Sequence, residues 1–315
     1  MVKGDRALDR SSLLAIALLV AGVILVVRGV DTFFDGLLAV AERFRISPFV
    51  VTIVLSGFEV ENLAAGVAAN AHGLSGAAAG TFLGGTTFLA LAVAGLGALV
   101  APIHTGLSRP ALIWTAAAPL PLLLLGLDGQ LSRRDGALLV AWFAIAIVGL
   151  ARSGGPASGE DEDDHPPRFP LLRLLLGIAL LTVGGQLLGD GLRAVVSRIG
   201  LSQTLLGNTA LAAAVEAEEV ARVVAPARRG RGELGLGNVA GTVVHFAAFN
   251  AGLIALVRPL PLDDATRHLH LPVAALAPAL LVLLLAARGR LGRTEGAILV
   301  GLYVAYVAGA IALSR

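Results

Sequence analysis

Two stretches decide the reading of this chain: Gly57-Phe58-Glu59-Val60-Glu61-Asn62-Leu63 and Ala214-Val215-Glu216-Ala217-Glu218-Glu219-Val220. Each interrupts an apolar run, Val50 to Ala71 in one case and Thr204 to Ala225 in the other, and together they hold five carboxylates. An acidic side chain at the centre of a bilayer costs about 3 kcal/mol on the mildest scales, and acids retained inside membrane segments mark function by default. Glu59, Glu61, Glu216, Glu218 and Glu219 are therefore the first candidates for a working site.

The rest of the chain supports a membrane setting. Of 315 residues, 56% are hydrophobic and 15% charged, with a mean hydropathy of +0.83, well beyond a soluble domain. There is no cysteine, which removes disulfides, thiolate metal sites and Cys nucleophiles, and no HExxH pattern is present. No Ser-His or metal-water pair suggests an enzyme. A net charge of +2 gives no reason to expect a nucleic-acid partner. The first apolar run is too long for a signal-peptide core, so it is expected to remain as a membrane helix.

At about 20 apolar residues per crossing, ten spans are expected, at 12–30, 47–71, 77–101, 110–127, 136–151, 171–189, 202–226, 234–257, 271–287 and 296–313. Between the fifth and sixth, residues 153–168 hold Gly154, Gly155, Pro156, the acidic run Glu160 to Asp164, and Pro166-Pro167. This composition cannot bury apolar surface and reads as a solvated linker. It separates two five-helix halves, 1–152 and 169–315, that resemble each other. Asp35-Gly36, Ser47, Glu59, Gly80 and Gly84 in the first correspond to Asp190-Gly191, Ser202, Glu216, Gly237 and Gly241 in the second, at an offset of 155 that becomes 157. An odd number of spans per half inverts the second relative to the first. With both termini on one side, that side collects 10 of the 24 Lys and Arg residues and the linker's side 14. The positive-inside rule then puts 153–168 in the cytoplasm and both termini outside, in a multi-pass protein of a prokaryotic inner or plasma membrane.

Residues three apart share a helix face, so Glu59 lies beside Asn62 and Glu216 beside Glu219. Glu61 and Glu218 point about 200° away from those first members and are ranked as secondary, facing a vestibule or handling protons. Meeting near the midplane, Glu59, Asn62, Glu216 and Glu219 would form an oxygen cluster carrying up to three negative charges, suited to a hard cation such as Ca²⁺. After each acidic stretch comes a run of small residues, Gly80-Thr81-Phe82-Leu83-Gly84-Gly85-Thr86-Thr87 and Gly237-Asn238-Val239-Ala240-Gly241-Thr242. Their hydroxyls and carbonyls could complete a coordination shell. His245, one turn beyond Gly241, is either a proton carrier or added ligand, or a packed polar residue.

These segments resemble the alpha-repeats of the calcium/cation antiporter superfamily, whose sodium/calcium exchangers read GTSLPEL and then GNxxGSNxxN. Gly57 to Leu63 falls on GTSLPEL, Ala214 to Val220 on its second copy, and Leu236 to Thr242 on LGNVIGS. The resemblance implies an all-helical, ten-span, inverted-repeat fold with a cation site shared by the two repeats. By position, Glu219 falls on the superfamily's ion-binding glutamate, with Asn62 as its partner in the first repeat. Glu59 and Glu216 replace ligand serines, Glu61 and Glu218 replace prolines, Gly85 and Thr242 fall on later serines, and Leu89 and Phe246 occupy positions of Asn or Asp ligands. The expected ligand set is Glu59, Asn62, Glu216, Glu219, Thr242 and Gly85, with Asn238, Glu61, Glu218 and His245 as secondary or proton-handling groups. The activity implied is alternating-access antiport of a divalent cation, foremost Ca²⁺, against H⁺ or Na⁺, with no cofactor beyond the transported ions. A cation channel on the same fold and a transporter of Mg²⁺ or Mn²⁺ are the alternatives.

Overall fold

A computed structural model describes residues 10–45, 47–56, 60–104, 107–153, 169–196 and 217–313. The helices are α1 (Arg10–Phe44), α2 (Pro48–Ser56) and α3 (Val60–Ala71), then α4 (Ser75–Val100), α5 (Arg109–Gly126) and α6 (Arg133–Arg152). The second half holds α7 (Pro170–Val196) and α8 (Ala217–Arg228), then α9 (Gly232–Val257) and α10 (Thr266–Arg288), and α11 (Arg293–Leu313). Eight spans among the described residues are long and apolar enough to cross a bilayer. The expected second span appears as α2 and α3, and of the expected span at 202–226 only α8 is described.

Four two-residue strands, absent from the all-helical expectation, close the loops: β1 (Ile103–His104), β2 (Gln130–Leu131), β3 (Leu260–Pro261) and β4 (Arg290–Leu291). Isolated two-residue strands carry no alternating pattern that a sequence could reveal. They form two antiparallel pairs, Ile103 opposite Leu291 and Leu131 opposite Leu260.

The described chain falls into two compact units, 1–40 with 163–221, and 41–162 with 222–315. In the first, α1 and α7 run antiparallel. The spans expected at 12–30 and 171–189 are corrected here: the helices run on to Phe44 and Val196, so Asp35-Gly36 and Asp190-Gly191 lie inside them. Their glycines are packing residues. A Cβ on Gly36 would stand 2.3 Å from the Leu174 backbone N, one on Gly177 2.4 Å from Phe33 Cα, and one on Gly184 2.9 Å from Val26 N. Gly29 and Gly36, like Gly177, Gly184 and Gly191, recur every seven residues, so they stay on one helix face and let the two backbones meet. Arg173 Nη2 pairs with Asp35 Oδ2 at 2.7 Å at an exposed end of this seam.

In the second unit, α4 and α9 form the centre: 78% and 83% of their membrane windows are buried, against 39% or less in the other described spans. Each contains a six-residue π-helical segment at the equivalent place, Phe88–Val93 and His245–Asn250. The outer helices cross them through paired glycines. Gly95 of α4 meets Gly296 of α11, with each prospective Cβ 2.7 to 2.9 Å from the other's carbonyl, and Gly252 of α9 meets Gly136 of α6 with the same spacing. Exchanging the halves maps the first crossing onto the second, and β1 with β4 onto β3 with β2. That is the signature of a pseudo-twofold axis relating inverted repeats. The helix starts repeat as well. Ser132 and Asp135 make a reciprocal capping box on α6, and Gly292 N donates to Glu295 Oε2 at the matching turn of α11.

Candidate cation site

α8 begins with Glu218 and Glu219 and ends with Arg228, the charge order that complements the helix dipole. Glu219 is 0% exposed and Glu218 is half-buried. Arg222 is 7% exposed. It follows Glu219 by three residues and Glu218 by four, the spacings at which acid and arginine share a helix face. The reading of the sequence missed it because an arginine in a polar-looking stretch gives no sign of its burial. Glu59 and Glu216 lie outside the described residues. The backbone of Glu61 is helical, and Asn62 sits half-buried in the first turn of α3.

α9 carries the remaining second-half candidates. Asn238 and Thr242 are 0% exposed and His245 1%. Thr242 Oγ1 donates to Asn238 O at 3.0 Å. His245 Nδ1 lies 2.9 Å from Gly241 O; a carbonyl can only accept, so this ring nitrogen carries the proton. The imidazole packs edge-on to Phe143, centroids 4.8 Å apart, and near Phe249 at 6.2 Å. These contacts hold the ring among aromatic side chains. Phe88, at the repeat-equivalent position, stacks likewise on Tyr303 at 5.3 Å.

Glycines allow this centre to close. A Cβ at Gly237 would fall 2.9 Å from the Phe49 ring, and one at Gly235 3.0 Å from Val223 Cα. Gly85 has the Phe246 ring against it, 2.3 Å from a prospective Cβ. This pair brings a bare backbone against a fully buried phenyl ring. By contrast, a Cβ at Gly80 or Gly84 meets nothing within 4 Å among the described residues.

Two further polar positions escaped the sequence. Asn70, at the end of α3, donates from Nδ2 to Arg258 O (2.7 Å) and Ile254 O (3.3 Å), while Arg258 Nη1 donates back to Asn70 O and Ala71 O. This reciprocal clamp ties the helix bearing Asn62 to the helix bearing Thr242. Asn250, closing the π segment of α9, is 2% exposed, and its Nδ2 finds no hydrogen-bond partner among the described residues. Glu218 and Glu219 belong to the first compact unit, and Asn62, Gly85, Asn238, Thr242 and His245 to the second.

Spans, interlocked repeats and buried polar groups together define a multi-pass membrane transporter. The chain belongs to the sodium/calcium exchanger protein family, which it matches over residues 14–151 and 169–312. It is 30% identical to inner membrane protein YrbG of Escherichia coli, over 94% of this chain and 96% of that protein. It is 22% identical to sodium/calcium exchanger MaX1 of Methanosarcina acetivorans, over 92% and 96%. The fold matches that of the sodium-calcium exchanger NCX_Mj soaked with Na⁺ and Sr²⁺, with a TM-score of 0.80, 24% identity and coverage of 94% and 98%.

Proposed function

We propose that this chain is a secondary antiporter that exchanges a divalent cation, foremost Ca²⁺, for H⁺ or Na⁺ by alternating access. The observation that carries the reading is Glu219, a carboxylate with 0% exposure in a chain of the exchanger family. Glu59, Asn62, Glu216 and Glu219 hold the ion, flanked by Thr242 and Gly85, with Glu61, Glu218, Asn238 and His245 secondary. Three carboxylates carry up to three negative charges, a field that a dication neutralises best. An empty site keeps those charges in a low-dielectric interior, a state too costly to occlude. Dication and counter-ions compete for the same oxygens, so the site changes sides only when loaded, and exchange is obligatory. The Gly85 and Phe246 pair removes two oxygen positions that would serve Na⁺. The additional carboxylates supply oxygens that can take up protons, which favours protons as counter-ions. The linker 153–168 lies in the cytoplasm and the termini outside.

The test is uptake of Ca²⁺ into proteoliposomes under imposed pH or Na⁺ gradients. Glu219→Gln should abolish gradient-driven uptake while the purified protein stays monodisperse and folded; wild-type flux in that variant would overturn the assignment. Flux indifferent to both gradients would instead identify a channel, and a thermal-shift panel peaking at Mg²⁺ or Mn²⁺ would change the ion.

A further inference from the structure

A groove of about 410 Å³ opens on the outer surface of the second unit, between α5 and α6. Trp114 forms one side, and Ala144, Ile145, Val148, Gly149 and Arg152 the other. Gly149 creates the space for the indole: a Cβ there would fall 2.2 Å from Trp114 Cε2. The α6 side runs from Ala144 to Arg152, about 12 Å of helix, and Ile145 and Val148 are 56% and 45% exposed. Such a surface, on spans that cross a bilayer, faces acyl chains.

One end of the groove is cationic. Arg152 ends α6, and Ser108 Oγ donates to Ser153 O at 2.8 Å, tying the start of α5 to the end of α6. Arg109, the first residue of α5, is thereby brought to the same end. Both arginines are exposed, and neither forms a salt bridge among the described residues. The neighbouring Trp142 donates from Nε1 to Ala118 O at 3.0 Å, whereas Trp114 Nε1 finds no acceptor among the described residues. An apolar trough with two guanidiniums and an indole N–H matches a phospholipid with a negative headgroup, since arginine forks grip phosphate oxygens and basic pockets between spans select anionic lipids.

We propose that this groove is a binding site for an anionic phospholipid, its phosphate held by Arg152 and Arg109 and one acyl chain lying along Trp114. The chain contains only two tryptophans, so Trp142→Phe leaves Trp114 as the sole fluorophore. The full-length variant is reconstituted in phosphatidylcholine vesicles, and Trp114 quenching is titrated with brominated-chain phosphatidylglycerol or brominated-chain phosphatidylcholine. Phosphatidylglycerol should quench at a markedly lower mole fraction, each arginine contributing about fivefold, as expected for about 1 kcal/mol per surface guanidinium. Adding Arg109→Gln and Arg152→Gln should bring the two lipids to parity. Equal quenching before those substitutions would overturn the proposal, as would a preference that survives both. If Trp142→Phe does not fold, the wild-type chain and its Arg109→Gln/Arg152→Gln variant are melted with each lipid. Stabilisation by phosphatidylglycerol that is not reduced in the variant refutes the site.

Discussion

At the residue scale, the contact between Gly85 and Phe246 joins two of the positions at which this chain departs from the exchanger pattern. The ring occupies the space a side chain at residue 85 would need. Gly85→Ala should therefore cost about 1 to 3 kcal/mol by overpacking. Removing the ring as well, in Gly85→Ala/Phe246→Ala, should recover part of that loss, so thermal melts of the two singles and the double should be non-additive; additive melts would mean that the ring moves aside freely. The sequence revealed the acids at Glu218 and Glu219 because a carboxylate in an apolar run is conspicuous by itself. It did not reveal Arg222, Asn70 or Asn250. A polar residue at a helix end or in a mixed stretch looks solvated until its neighbours are known.

At the scale of elements, the seven-residue recurrence of glycine explains why α1 and α7 are longer than expected. Glycine marks a loop only where the backbone needs its freedom, as at Gly73, where φ is +79°. In α1 and α7 it is a contact surface instead, and charged neighbours such as Asp35 and Asp190 made the two cases look alike. Gly177→Leu should abolish folded protein in size-exclusion chromatography, while Gly301→Leu, where a Cβ meets nothing within 4 Å, should leave the elution profile unchanged. The start of α10 allows a second test. Asp263 Oδ1 accepts from the Thr266 N–H at 2.7 Å, and the hydrogen bonds from the Thr266 side chain and backbone hold the Asp263 carboxyl below its ordinary range against the opposing effect of partial burial. A carboxyl lowered in the folded state stabilises above its unfolded value, and that contribution is lost as pH falls through the lowered one. Asp263→Ala should thus reduce Tm at neutral pH by the equivalent of about 1 kcal/mol, the usual worth of a cap, and the gap to wild type should close in acid. A constant gap across that range would exclude the ionised cap.

For the whole molecule, the repeat legible in the chain as an offset of 157 residues appears in three dimensions as two equivalent glycine crossings, two equivalent strand pairs and two equivalent π segments. The offset could be read because acids and glycines recur in order; the pairing could not, because nothing in a linear repeat says which copy a helix leans on. The orientation we propose for the membrane rests on a charge margin of 14 to 10. The absence of cysteine makes it simple to measure: Ser158→Cys should react with a membrane-impermeant maleimide from the cytoplasmic face only, and labelling of intact cells from outside would reverse the topology.

The glycine crossings have a consequence for how such a chain could arise. Each takes one member from either half, Gly95 with Gly296 and Gly252 with Gly136, so neither half completes this interior alone. Before duplication, a single half would have had to find a second copy of itself lying upside down in the same bilayer. That requires a polypeptide able to insert both ways, with flanking charges almost evenly divided. The narrow basic bias still visible across the joined halves is what such an ancestor would bequeath. Severing the chain within 153–168 and expressing the pieces together should restore the assembly from its two fragments.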